Sequence, residues 1–153
     1  MEVVHCDDEA LPFADATFNL VLNRHSALTP ADVARVLKPG GTLLTEQVWE
    51  HWRELKRFFP RMVEYRGIET AYQEGLIASG MTIVDARGHV VPAAFDHLGD
   101  LVFMLCVTPW TIPDFDPLGA DLTTLVQVEQ ELTTPDGLVL SDGAYLIEMQ
   151  KPA

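Results

Sequence analysis

An α/β fold built on a mostly parallel sheet is what this 153-residue sequence predicts, and three observations carry the prediction. Phe18-Asn19-Leu20-Val21-Leu22 is a nearly continuous apolar run, the pattern of a strand covered on both faces in a parallel sheet. A helix signal follows at Thr29-Pro30, and the β-rich stretch Thr42 to Val48 comes after it. Strand, helix and strand thus succeed one another within about thirty residues, the spacing of a βαβ unit with a right-handed crossover.

Taken in order, Glu2 to Cys6 is short and partly β-branched and reads as a strand ending at an Asp7-Asp8 turn. Thr29 is a natural N-cap, Pro30 suits the first helical position, and Asp32 favours the positive helix end. Val33, Val36 and Leu37 then give one apolar stripe, and Lys38-Pro39-Gly40-Gly41 ends the helix. Without a G-x-G-x-x-G or G-K-[ST] pattern, Gly40-Gly41 is a turn rather than a phosphate cradle.

The aromatic segment Trp49, His51, Trp52, Leu55, Phe58 and Phe59 reads as helical until Pro60. Ile68, Ala71, Tyr72 and Leu76 outline a further helix stopped by Gly80, and Met81 to Arg87 reads as a strand. Leu98 to Cys106 suggests a buried helix, after which Pro109, Pro113 and Pro117 punctuate an irregular loop through Trp110. Leu122, Leu125, Val126 and Glu129 mark a helix within Leu118 to Leu132. Near the end, Ser141-Asp142-Gly143 is a turn signal between the extended runs Leu138 to Leu140 and Ala144 to Met149.

Composition narrows the function. Ten Lys+Arg against 23 Asp+Glu give a formal net charge of -13, which repels a polyphosphate backbone and disfavours nucleic acid. A small or cationic substrate fits better. The 48% hydrophobic content and mean hydropathy of +0.10 are those of a packed globule, one domain by length. Cys6 and Cys106 lie in apolar stretches with no C-x-x-C pair and no His spaced for zinc, so buried, reduced thiols are expected and no metal. The first residues carry no basic region or apolar core of a signal peptide, and Leu101 to Val107 is far short of a membrane span; a cytoplasmic protein with no membrane partner is expected.

Two longer motifs are more specific. Asp7-Asp8-Glu9-Ala10-Leu11-Pro12-Phe13 leads into the Phe18 to Leu22 run, and Arg35-Val36-Leu37-Lys38-Pro39-Gly40-Gly41-Thr42-Leu43-Leu44 follows at the matching separation. Together they resemble the middle of a class I S-adenosylmethionine-dependent methyltransferase. The resemblance implies an incomplete Rossmann-like methyltransferase fold, a mostly parallel sheet with an antiparallel C-terminal strand. Only six residues precede Asp7, so the chain is expected to be a single domain over 1–153 that lacks the family's first two strands and its glycine-rich cofactor turn.

For the site, the resemblance implies that Asp7 accepts a hydrogen bond from the adenine amino group, that the Asp8 backbone N–H meets a ring nitrogen, and that Phe13 packs beside the base. Asn23, Arg24 and His25 fall where the family places groups near the methyl-transfer centre. Of these, His25 is either the base that takes the acceptor's proton or a cap on nearby carbonyls. Arg24 either holds a substrate carboxylate or neutralises the local acidic excess. Asn19 stands where many relatives have Asp. The Asn/Asp-Pro-Pro-aromatic tetrapeptide of many nucleic-acid methyltransferases is absent, in line with the charge. Trp49, His51 and Trp52 form either a substrate wall or core, and Phe95-Asp96-His97 and Trp110 either line a pocket or pack.

The implied activity is methyl transfer from S-adenosylmethionine to a small molecule, with weak or absent cofactor binding by this chain alone. The alternative is a non-enzymatic remnant of the fold that serves as a binding or dimerisation module. Without the family's first strands, Phe18 to Leu22 becomes a sheet edge with no Lys, Pro or charge to blunt it, which predicts a homodimer joined near residues 1–25.

Overall fold

The computed structural model describes residues 4–6, 10–65 and 67–153. Its elements are β1 Phe18–Arg24, α1 Pro30–Val36, β2 Leu37–Val48, a 3-10 turn Arg53–Arg57, α2 Ile68–Ala78, β3 Thr82–Phe95, α3 Leu98–Val107, α4 Leu122–Leu132, β4 Thr133–Thr134 and β5 Gly137–Gln150. Val4 to Cys6 form no regular structure, while Glu2, Val3, Asp7 and Asp8 of the expected first strand and turn lie outside the described residues.

The sheet has five strands in the order β1-β2-β5-β3, with β4 beside β5. β1 and β2 are parallel, whereas β5 is antiparallel to both β2 and β4. The expected α/β class and antiparallel last strand are present, but the sheet is mostly antiparallel rather than mostly parallel. The reason is topological: β5 enters between β2 and β3, so one strand of reversed direction occupies the second edge of β2 and leaves β1–β2 as the parallel pair.

Chain segments divide into two compact units. The first comprises the described residues of Met1–Trp49, Arg66–His89 and Ala144–Ala153. Its core joins Val33 and Ala34 of α1 and Leu76 of α2 to Leu43 of β2 and to Ile147 and Met149 of β5. Thr29 caps α1 in an extended conformation, Pro30 opens the helix, and Val33, Val36 and Leu37 are buried as their spacing predicts. Gly75 lets α2 approach α1, since a Cβ there would sit 2.8 Å from Pro30 Cγ. Gly40, at φ +77°, makes the turn into the body of β2 in a conformation that favours glycine. Both helices cover the same face of the sheet. On the other face Leu20 and Leu22 are 51% and 68% exposed, so β1 is not covered on both sides as its apolar run suggested.

The second unit comprises Glu50–Tyr65 and Val90–Gly143. Trp52, Leu55, Phe59, Leu101, Leu105 and Leu125 are at the centre of its core. Here the expected helix up to Pro60 is reduced to the 3-10 turn, because Glu50 and Trp52 adopt left-handed conformations, φ +50° and +47°, that no helix accommodates. The expected turn at Ser141-Asp142-Gly143 is instead part of the continuous strand β5. Glu54 accepts from the Ser141 N–H and hydroxyl, and Trp52 N–H donates to the Ser141 carbonyl at 2.7 Å; the bonds a turn would make internally are made to the 52–54 segment.

Helix α3 is amphipathic rather than buried throughout: Leu101 and Leu105 are inside, Phe103 is 64% exposed. Cys106 follows Leu105 onto the outer side, and both it and Cys6 are free and exposed, contrary to the expectation of buried thiols. In α4 the inward residues are Leu125 and Val128, while Leu122 and Val126 face outward. Among the described residues no helix is long and apolar enough to cross a membrane.

Candidate functional site

β1 and β2 run in the same direction, so their carboxyl ends finish side by side; the register pairs Asn23 with Thr45 and Arg24 with Glu46. Successive strand residues point to opposite faces, which sends Asn23, Thr45 and Gln47 toward the helices and Arg24 and Glu46 away from them. The strand ends therefore carry two separate polar groups.

On the helix side, Asn23 Oδ1 accepts hydrogen bonds from Thr45 Oγ1 and Gln47 Nε2, each at 2.8 Å. Gln47 Nε2 also donates to the Ser26 carbonyl at 3.1 Å, and Asn23 Nδ2 donates to the Ala27 carbonyl at 3.3 Å. Thr45 and Gln47 are buried, a placement tolerated only because their polar atoms are paired. Asn23 is thus the acceptor that organises the loop from 23 to 27.

On the opposite face, Arg24 Nε donates to Glu46 Oε1 at 3.1 Å, and His25 Nε2 lies 3.1 Å from the same oxygen. The His25 N–H donates to the Glu46 carbonyl at 2.9 Å. His25 sits at φ +48°, a conformation that costs a non-glycine residue about 1–3 kcal/mol and tends to occur at functional sites. Its ring is 44% exposed. Arg24 and Glu46, its partners, line a hollow of about 260 Å³. Leu22, Leu44 and Leu146 form the apolar wall of that hollow, with Arg24 and Glu46 at its polar end.

A second hollow, of about 220 Å³, lies between the loop at Leu11 and the segment Ser26 to Thr29, floored by Val21 and Val33. The loop is clasped by α1. Arg35 donates to the carbonyls of Phe13 at 2.6 Å and Leu11 at 2.9 Å and to Asp32 Oδ1 at 2.7 Å, while the other oxygen of Asp32 accepts the Leu11 N–H. The hydrogen bond from Arg35, then that from Leu11, hold the Asp32 carboxyl below its ordinary pKa; Asp32 and Asp15 in turn raise that of Arg35. The ring of Phe13 packs edge-on against Phe18 at 4.9 Å. Asp7 and Asp8, the expected adenine contacts, lie outside the described residues.

The structure thus brings Arg24 and His25 together on one carboxylate, keeps Asn23 in a different network, and places Phe13 in the clasped loop. Glu46, Thr45, Gln47, Asp32 and Arg35 were missed as site residues. The signal for the first three was the polar triplet Thr45-Glu46-Gln47 ending an apolar strand that pairs in parallel with β1. Of the other aromatics, Trp49 packs on Tyr145 and over Gly88, Trp52 belongs to the core of the second unit, His97 contacts Asp100 at the start of α3, and Trp110 is exposed.

Several solved structures share this arrangement of helices and strands. A candidate methyltransferase from Bacillus halodurans C-125 matches with a TM-score of 0.57 at 19% identity, over 97% of this chain and 70% of that one. The YcgJ protein of Bacillus subtilis matches at 0.54 and 17% identity, over 95% of this chain and 69% of that one. An S-adenosylmethionine-dependent methyltransferase from Methanosarcina mazei matches at 0.51 and 12% identity, over 95% and 65%. The fold is methyltransferase-like. No protein-family model and no curated protein matches the sequence. The chain spans about half to seven-tenths of the length of the structures it resembles, the lower figure being the 51% of a functionally unknown Deinococcus radiodurans protein matched at 0.54 and 16% identity over 89% of this chain. In open α/β sheets ligands sit beyond the carboxyl ends of strands, and the hollow that reaches Ser26 to Thr29, just after β1, lies there.

Proposed function

We propose that this chain carries the C-terminal portion of an S-adenosylmethionine-dependent methyltransferase that acts on a small molecule. The observation that supports it is the His25–Glu46–Arg24 cluster at the carboxyl ends of the parallel pair of a methyltransferase-like fold. S-adenosylmethionine, when bound, supplies a methyl group on a sulfonium open to direct attack. The hollow between Leu11 and Ser26 to Thr29 suits the flat base of that cofactor: Leu11, Val21 and Leu28 offer apolar walls, and Ser26 and Thr29 a polar edge. Asp7, Asp8 and the Phe13 loop are the proposed adenine contacts.

A neutral His25 that donates from Nε2 to Glu46 keeps its lone pair on Nδ1. That nitrogen takes the proton of a hydroxyl or amine acceptor, and the Glu46 carboxylate stands beside the imidazolium that results. Arg24 donates to the same oxygen and holds the carboxylate in place. The acidic chain favours a neutral or cationic acceptor over an anionic one.

Because both hollows fall below the roughly 300–1,000 Å³ of small-molecule pockets, the chain alone binds the cofactor weakly. Titration of S-adenosylmethionine into it, followed by calorimetry and amide chemical shifts, should give a dissociation constant near millimolar with shifts at Leu11 to Phe13 and Ser26 to Thr29. Micromolar binding would overturn the weak-binding reading, and a titration that leaves those amides unmoved would remove the cofactor site. In a methyl-transferring form, His25→Ala should lower turnover by about 100-fold or more with little change in cofactor affinity; equal turnover would remove His25 from the chemistry.

A second reading, a binding or dimerisation module, is favoured by one observation. β1 is at the end of the strand order, and Leu20 and Leu22 are exposed on it. A homodimer through β1 is the form this reading takes, and it is compatible with the first.

A further inference from the structure

The second unit contains a histidine–carboxylate pair that the proposed methyl transfer does not use. His51 Nδ1 lies 2.8 Å from Asp142 Oδ1, with the histidine side chain 21% exposed and the aspartate 47%. The imidazole stacks on the indole of Trp52, ring centroids 4.0 Å apart and planes 27° from parallel. Trp52 is itself wedged edge-on against Phe95 at 5.6 Å, so the imidazole rests on a buried, rigid floor. Among the described residues nothing hydrogen-bonds to His51 Nε2.

A histidine that merely pins two segments needs none of the surrounding construction. Glu50 and Trp52, the residues on either side of His51, are both held left-handed at φ +50° and +47°. Each costs about 1–3 kcal/mol as a non-glycine residue and persists only where its surroundings over-determine it. The bracing is visible: Trp52 N–H donates to the Ser141 carbonyl at 2.7 Å, and Glu54 accepts from the Ser141 N–H at 2.9 Å and hydroxyl at 2.5 Å. Ser141 thus fixes the residues after His51 while its neighbour Asp142 fixes the ring. Among the described residues, the buried indole N–H of Trp52 has no acceptor.

A carboxylate on Nδ1 selects the tautomer with the proton on that nitrogen and leaves Nε2 as a bare acceptor aimed away from the pair. We propose that His51, oriented by Asp142, is a hydrogen-bond-accepting site for the hydroxyl of a small neutral molecule. The ligand O–H donates to Nε2 while the Nδ1–H donates to the Asp142 carboxylate, and no covalent bond of the ligand is made or broken. Arg53 pairs with Glu50 and Glu54, and the net charge of -13 disfavours an anionic ligand. His51 would be the residue that touches the ligand, and Asp142 a positioning residue. The proposal stands independently of methyl transfer.

The test reads the imidazole directly. Long-range proton–nitrogen correlation on the 153-residue chain should show His51 in the Nδ1–H tautomer; an Nε2–H tautomer would overturn the proposal without any variant. Carbethoxylation by diethyl pyrocarbonate at pH 8, followed by peptide mass spectrometry, should modify His51 more slowly in Asp142→Asn, by roughly tenfold. An unchanged rate would mean that Asp142 does not set the reactive nitrogen. Finally, phenol as the hydroxyl probe should shift the His51 Nε2 resonance in the wild-type chain while toluene, the same shape without the hydroxyl, should not. Equal responses to the two, or none to phenol, would sink the site.

Discussion

His25 and His51 each face a carboxylate, yet the two pairs are built on opposite principles. His25 shares one oxygen of Glu46 with Arg24 at the open end of two strands; its ring is 44% exposed and, among the described residues, has no aromatic beneath it. By contrast His51 pairs with Asp142, rests on buried Trp52, and is followed by Trp52 and Glu54, which Ser141 holds in place. The same chemistry is therefore solvent-screened in one place and packed against an aromatic ring in the other. What fixes a histidine is the shell behind the pair more than the pair, because an exposed ion pair contributes little while a packed ring and paired backbone exclude alternative rotamers.

Removing the floor should have the largest effect. Trp52→Ala is expected to cost about 3–5 kcal/mol of stability, the range for deleting a buried large aromatic, and to erase the preference of His51 for one tautomer. Urea denaturation with NMR of the ring would measure both; a loss below 1 kcal/mol would show that the floor is not rigid. Next, Asn23→Ala should cost about 1–3 kcal/mol, because Thr45 and Gln47 lose their shared acceptor in a buried setting. His25 should keep its place near Glu46 in that variant, since the inward network and the outward pair occupy opposite faces of the strands; a His25 spectrum that changes as much as that of the Asn23 loop would break the distinction.

The acid limb sharpens the comparison differently. Burial pushes the Glu54 carboxyl up, but hydrogen bonds from the Ser141 hydroxyl and N–H and the charge of Arg53 outweigh it and leave the group below its ordinary 4.5. A folded pKa below the unfolded one contributes stability above pH 4.5, and that contribution is lost as pH falls through the folded value. The wild-type chain should therefore lose stability below pH 4.5 more steeply than Glu54→Gln, as followed by denaturation midpoints between pH 6 and 3, and parallel curves would contradict the bracing.

Smaller still, Glu46→Gln should change stability by less than about 1 kcal/mol, as expected of an exposed pair. The smallest change in stability, within about 0.5 kcal/mol, is expected for Leu22→Lys on the exposed face of β1. That variant should nevertheless be monomeric at tens of micromolar by light scattering if β1 joins two copies; a wild-type chain that is already monomeric there would remove the homodimer.

Much of this was legible in the residues. Thr29-Pro30 and the stripe Val33, Val36 and Leu37 placed α1; Gly80 placed the end of α2; and Phe18 to Leu22 with Thr42 to Val48 placed the parallel pair. Arg24 and His25 were placed at a strand end, but their partner Glu46 was not, because it is 22 and 21 residues away and is brought there only by register. His51 was seen as wall or core and its partner Asp142 as part of a turn, since a pairing across 91 residues leaves no local trace.

By itself the sequence determined what depends on neighbours along the chain: caps, apolar periodicity, glycine stops and the acidic balance, each set by steric and hydration preferences within a few residues. Tertiary structure alone decided what depends on distant partners. Strand order made a mostly antiparallel sheet from segments whose patterns suit either direction, because β5 enters beside β2. Ser141 and Glu54 straightened a turn signal into a strand, and left-handed Glu50 and Trp52 shortened a helix signal to one 3-10 turn. In each case the local preference, about 1–3 kcal/mol for a left-handed residue, yielded to hydrogen bonds and buried aromatic contacts that form only when the chain is assembled.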